Sequence, residues 1–154
     1  MRLKPSQMKR WLGPVRILLD TNILISGILS KTGPPSRLLE AYKSNSFVLV
    51  TSPSQLAEFK RVLNYSHIRQ RITRSQASVL LETIDVNAVL VWELPTVDYS
   101  PDPDDNVIIA TAIAGGADMI VSGDKRDMLA LAEVEGIPIV SARDAVKLLS
   151  IADT

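Results

Sequence analysis

An apolar run from Val15 to Leu19, broken only by Arg16, stops on the carboxylate of Asp20, with Thr21 and Asn22 behind it. Bounded by Pro14 and by polar residues, the run has the form of a short strand covered on both faces. Periodicity alone leaves open a buried helical segment. In open parallel α/β sheets, ligands bind outside the carboxyl ends of the strands, so Asp20 falls where chemistry is commonly done. Thr21 or Asn22 is read as the cap of the next helix, which leaves Asp20 unexplained by capping.

The pattern continues along the chain. Ile23, Leu24, Ile25, Ile28 and Leu29 fit a helix packed back on the sheet, Gly33-Pro34-Pro35 interrupts it, and Ser36 to Ser44 reads as a second helix. Phe47 to Val50 is a second buried strand. Thr51-Ser52-Pro53-Ser54 carries start signals for a third helix through Leu56, Ala57, Phe59, Val62 and Leu63, with Glu58 in its early turns. A glutamate there is favoured by the helix macrodipole whatever else it does. Ser75 to Ile84 reads as a helix and Ala88 to Val91 as a third strand, with Trp92 at its end read as packing in preference to base-stacking.

Val107 to Ala114 is apolar almost all round, as in a helix buried against a sheet, and Gly115-Gly116 stops it. Met119-Ile120-Val121 then repeats the ending of the first strand, with Ser122-Gly123-Asp124 behind it. A helix over Met128 to Ala132, the strand Ile137-Pro138-Ile139-Val140 and a helix capped by Ser141 complete the order. Such alternation predicts the α/β class: a three-layer α/β/α sandwich around a central, mostly parallel sheet.

With 154 residues, 46% of them apolar, the chain suits one compact domain, since a chain of this size buries about two-thirds of its unfolded surface. Residues 1–14, with Arg2, Lys4, Lys9 and Arg10, read as a basic arm, and 15–150 as the domain. No segment has the length of a signal peptide core or a membrane span, which predicts a soluble, cytoplasmic protein without a membrane partner. A formal net charge of +0 removes any global cationic field, so a polyanion must be held locally. Absence of cysteine excludes disulfides and thiolate chemistry, and a single histidine excludes multi-histidine zinc centres. Carboxylates remain as metal ligands, which favours hard cations such as Mg²⁺ or Mn²⁺.

Charge is unevenly spread. Lys60, Arg61, Arg69, Arg71 and Arg74 lie in a stretch without an acid, where they could hold a phosphate backbone or simply form a solvated helical face. His67, in the same stretch, has no recognisable catalytic partner and reads as a surface or packing residue. Between Asp98 and Asp127 the balance inverts, with Asp102, Asp104, Asp105, Asp118 and Asp124 in between. Asp104 or Asp102 would cap the buried helix, and Asp105 projects from its first turn.

If the two aspartate-ended strands lie near the middle of one sheet, Asp20 and Asp124 emerge at the same edge and Asp105 joins them. Like charges at such spacing raise one another's pKa and destabilise the fold, and a divalent cation reverses that sign. The cluster therefore predicts a metal, and a phosphodiester is the natural substrate for a water activated there.

Leu18-Leu19-Asp20-Thr21-Asn22, then Glu58, then Asp105 opening an alanine-rich helix, then Val121-Ser122-Gly123-Asp124 resemble, in that order, the PIN domain. The resemblance runs from Val15 to Leu149. Asp102-Pro103-Asp104-Asp105-Asn106 and Gly115-Gly116-Ala117-Asp118 are similar to the prokaryotic branch of toxin-antitoxin toxins. It implies a PIN-like ribonuclease that uses Mg²⁺ or Mn²⁺, cleaves RNA by water attack and leaves a 5′-phosphate. Asp20, Glu58, Asp105 and Asp124 match the family's acidic quartet. The first, third and fourth would ligate metal directly, and Glu58 would bridge or bind through water. Asn22 and Ser122 would orient the ligands, Asp127 would be a supplementary acid, and Asp102 and Asp104 match the acidic loop. A cognate antitoxin and a homodimer are implied as partners. Nothing departs from the acidic pattern.

A Rossmann enzyme is disfavoured, because no Gly-x-Gly-x-x-Gly follows the first strand, and there is no Gly-Lys-Ser/Thr P-loop. A phosphoaspartyl receiver would leave Glu58 without a role. The rival of another class is a module that binds RNA or a partner with little or no turnover.

Overall fold

The structure is a computed structural model that describes residues 14–151. Most of the expected basic arm, residues 1–13, lies outside the described residues. The strands are β1 (Arg16–Leu19), β2 (Val48–Thr51), β3 (Val89–Leu90), β4 (Met119–Val121), β5 (Glu133–Val134) and β6 (Ile137–Val140). Between them run α1 (Thr21–Leu29), α2 (Pro34–Lys43), α3 (Pro53–Leu63), α4 (Ser66–Arg69), α5 (Arg74–Asn87), α6 (Pro103–Ala114), α7 (Met128–Leu131) and α8 (Ala142–Leu148).

Strand order in the sheet is β3-β2-β1-β4-β6-β5, with every pairing parallel except β5 to β6. From β1 the chain builds outward to β2 and β3, then returns to place β4 on the other side. That reversal opens a crevice at the carboxyl ends of β1 and β4.

Alternate residues of the central strands feed opposite layers, as a pleated strand requires. Ile17 and Leu19 pack with Met119, Val121 and Leu49 against one helical layer that includes Leu24, Leu38, Phe59, Leu80 and Ala145. Leu18 and Ile120 pack with Val50 on the other face, against Ile109, Ala112 and Met128. Helices cover both faces, which makes the fold the expected α/β/α sandwich and explains why the strands are apolar without alternation.

Several boundaries differ from expectation. Gly33-Pro34-Pro35 starts α2 rather than merely interrupting the chain, because proline at the first helical position lacks only an N–H that has no partner there. Four-residue α4 and two-residue β5 carry too little periodicity to be read in advance. Beyond β3, Trp92 remains 75% exposed instead of packing. At the end of α6, a Cβ on Gly115 would collide with Val50 Cγ1 and stand 2.9 Å from Val91 Cγ2. Only glycine lets the helix end that close to the sheet.

Candidate metal centre

Asp20 follows β1 directly and does two things. Its Oδ1 accepts the Asn22 backbone N–H at 2.8 Å, which makes Asp20 itself the cap of α1 in place of the expected Thr21 or Asn22. Its Oδ2 accepts from the Ser122 hydroxyl at 2.9 Å. Ser122 is fully buried, just past β4, and its Oγ also accepts the Asp124 N–H at 3.1 Å. A single hydroxyl thus ties together the two aspartate-bearing strand ends. Parallel pairing of Leu19 with Val121, continued by the Asp20 N–H to the Val121 carbonyl at 3.0 Å, sets them side by side.

Asp105 arrives on the first turn of α6. Asp102 is the cap of that helix, accepting the Asp104 N–H at 2.9 Å. Ser100, buried beneath this turn, donates to Asp105 Oδ2 at 2.9 Å. Asn106 stitches the loop, accepting the N–H groups of Tyr99 and Ser100 and donating back to the Ser100 carbonyl. Glu58 comes from α3, where the Thr21 hydroxyl donates to it at 3.4 Å.

The position of α3 depends on buried polar contacts. The Gln55 amide donates to the Leu19 carbonyl at 2.7 Å while its oxygen accepts from Thr51. Ser52 caps the helix through the Gln55 N–H and accepts from Thr111 of α6 at 3.1 Å. Glu58 and Asp105 are therefore referenced to the residue that precedes Asp20.

These groups open on a cleft of about 540 Å³ lined by Asp20, Asn22, Glu58, Asp102, Asp104, Asp105 and Asp124. Asp105, Asp124 and Asp127 each bring a carboxylate oxygen within 4.8 Å of the others. Asp127, expected as a supplementary acid, thus stands in this triad; its N–H also bonds Asp124 Oδ1 at 3.3 Å. Asn22 meets Asp20 through its backbone N–H, whereas Ser122 meets it through its side chain. Burial pushes the Asp20 carboxyl up, despite the bonds from Asn22 and Ser122, and Asp124 adds to the effect. Burial also raises Glu58, reinforced by Asp104 and Asp20. Asp105 is raised by burial first and then by Asp102, Asp124 and Asp20.

Clustered carboxylates that resist ionisation are what a cation stabilises. Oxygens bound to one Mg²⁺ or Ca²⁺ at about 2.0–2.6 Å stand up to about 5 Å apart across the ion. The triad fits that span, and its donors are all hard oxygens. This acidic cluster can hold a metal.

Other acids stay apart. Asp118 sits at the opposite end of β4, where it accepts the Arg16 N–H at 2.9 Å. The basic stretch also divides. Lys60, Arg69 and Arg74 line one pocket, Arg61 turns toward Glu58 and Asp104, and Arg71 joins neither. His67 is an exposed residue of α4 whose ring lies 6.0 Å from that of Tyr65. The bonds from Ser100, Gln55 and Thr21 to Asp105, Leu19 and Glu58 were not legible in the sequence because the partners lie five to tens of residues apart. Only the turn-rich Ser100-Pro101-Asp102-Pro103 hinted at one of them.

Among the described residues no helix is long and apolar enough to cross a membrane. Comparison with known proteins agrees with the geometry. An uncharacterized protein of Methanocaldococcus jannaschii is 28% identical over 123 residues, 76% of this chain and 75% of that protein. The family model for the PIN domain, a fold commonly found in nucleases and typically binding divalent metal through acidic residues, matches residues 16–126. That match takes in β1, Glu58, Asp105 and Asp124, and by it the chain belongs to the PIN domain family.

Proposed function

We propose that this protein is a metal-dependent endoribonuclease that hydrolyses RNA phosphodiesters in the acidic cleft, with Mg²⁺ or Mn²⁺. The observation that carries the proposal is the convergence of Asp20, Glu58, Asp105 and Asp124 on one cleft, with Asp127 against two of them. Asp20, Asp105 and Asp124 would hold the cation directly, and Glu58 would bridge or reach it through water. What a divalent cation supplies when bound to such a set is activation of a water and neutralisation of charge on the phosphoryl oxygens.

The chain's own groups do the remaining work. Ser122 and the Asn22 N–H hold the two oxygens of Asp20, and Ser100 holds Asp105. Glu58 lines the same cleft, where the Thr21 hydroxyl donates to its carboxylate. The water oxygen bonds to phosphorus and releases a proton to solvent, the bond to the 3′-oxygen breaks, that oxygen takes a proton from solvent, and one fragment ends in a 3′-hydroxyl and the other in a 5′-phosphate.

Cleavage of RNA with Mn²⁺ that is lost in EDTA and in Asp20→Asn supports the enzyme. RNA bound without cleavage, whether or not EDTA is present, turns the reading to a binding module. Within the same proposal the protein is a cytoplasmic, homodimeric toxin silenced by a cognate antitoxin. Growth arrest on expression that Asp105→Asn abolishes supports that role, and harmless expression of soluble wild type refutes it.

A further inference from the structure

The pocket on the other side of α3 is not used by the cleft. Its volume is about 470 Å³; Lys60, Arg69 and Arg74 stand around it, and its apolar lining is Leu63, Ile72, Ala77 and Leu81. No acidic side chain lines it, and among the described residues none of the three cations forms an ion pair. Arg74 is the first residue of α5, whose first turn holds no acid. A cation there opposes the helix macrodipole, so the position is unfavourable for the free protein and favourable once an anion is present.

The cations come from three different elements or their ends: Lys60 from α3, Arg69 from α4 and Arg74 from α5. Segments separate in sequence therefore present like charges to one concavity, where their mutual repulsion is relieved by a polyanion. An apolar floor below a cationic rim suits a single strand, whose bases contact the floor while its phosphates meet the rim. On the same α3, Glu58 and Arg61 face the cleft side, and Arg61 shares a smaller cavity with Glu58 and Asp104.

We propose that Lys60, Arg69 and Arg74 form a phosphate-binding site that holds single-stranded RNA outside the acidic cleft, on the far side of the helix carrying Glu58. The proposal rests on the nuclease reading and deepens it. It distinguishes these three residues from Arg71, which the sequence alone groups with them.

The test uses the full-length protein and a labelled oligouridylate, with affinity measured across a salt series in EDTA, where the RNA stays intact. In Lys60→Ala/Arg69→Ala/Arg74→Ala the slope of log affinity against log salt should become shallower by about 2, near 0.7 for each lost phosphate contact. Arg71→Ala should change it far less. Mn²⁺ binding by calorimetry checks that the triple variant retains its fold and cleft. An unchanged affinity and slope in the triple variant overturns this assignment alone. No binding of RNA by the wild type overturns it together with the ribonuclease reading.

Discussion

Asp105→Asn should make the metal-free protein more stable and the metal-loaded protein less stable than wild type, so that the order of their melting temperatures reverses. Oxygens of Asp124 and Asp127 lie within 4.8 Å of one on Asp105, so each pair of charges would repel by about 3 kcal/mol at an effective dielectric near 20. All three side chains are half-exposed, and solvent cuts the combined relief to about 1–2 kcal/mol. Asparagine keeps an oxygen for the Ser100 hydroxyl but gives up the interaction of a first-turn carboxylate with the α6 dipole, about 0.5 kcal/mol. A net gain of about 1 kcal/mol corresponds to about 3 °C for a chain of this size. Mn²⁺ at a hundred times its dissociation constant would add about 2.7 kcal/mol to the wild type and much less to the variant. Differential scanning calorimetry in EDTA and in Mn²⁺ reads both effects. A variant that melts below wild type in EDTA, or that gains as much from Mn²⁺, would show that these carboxylates neither repel nor share an ion.

The raised carboxyls of Asp20, Glu58 and Asp105 mean that the folded protein holds protons more tightly than the unfolded chain, so this contribution is complete below the ordinary values of 3.8 and 4.5 and is lost as pH rises through the folded ones. Thermal scans in EDTA should accordingly show stability from these groups falling as pH rises above their ordinary values of 3.8 and 4.5, with Asp20→Asn flattening the profile. Ser122→Ala removes the fully buried hydroxyl shared by Asp20 and Asp124 and should cost about 1–3 kcal/mol by urea denaturation. The same change should weaken Mn²⁺ binding about 10–100-fold by calorimetry, while unaltered affinity would remove its orienting role. Gly115→Ala forces a Cβ into Val50 and should destabilise by about 1–3 kcal/mol in the same urea assay; a neutral result would mean that α6 can shift off the sheet.

The strand endings were legible because an apolar run closed by a carboxylate is a local signal. Asp20 and Asp124 each follow such a run, and Asp105 follows the proline-rich start of an apolar helix. Short-range chemistry of this kind also announced the cap at Ser141 and a helix start within Thr51-Ser52-Pro53-Ser54, where Ser52 is the cap. It misassigned the cap of α1, because Asp20, Thr21 and Asn22 are all competent caps and only the backbone path selects one.

What the sequence by itself determined is the alternation of elements, the burial of the central strands on both faces and the residue types able to bind a hard cation. Tertiary structure alone decided that β4 lies beside β1, that one buried serine joins their two aspartates, and that Asp127 enters the tight triad while Asp118 is carried to the far end of the sheet. It also parted Arg61 and Arg71 from Lys60, Arg69 and Arg74. The physical reason is range. Periodicity and capping act over a few residues, whereas strand order, the Ser122 to Asp20 bond and the convergence of charges depend on contacts between segments tens of residues apart, which exist only once both helical layers have packed on the sheet.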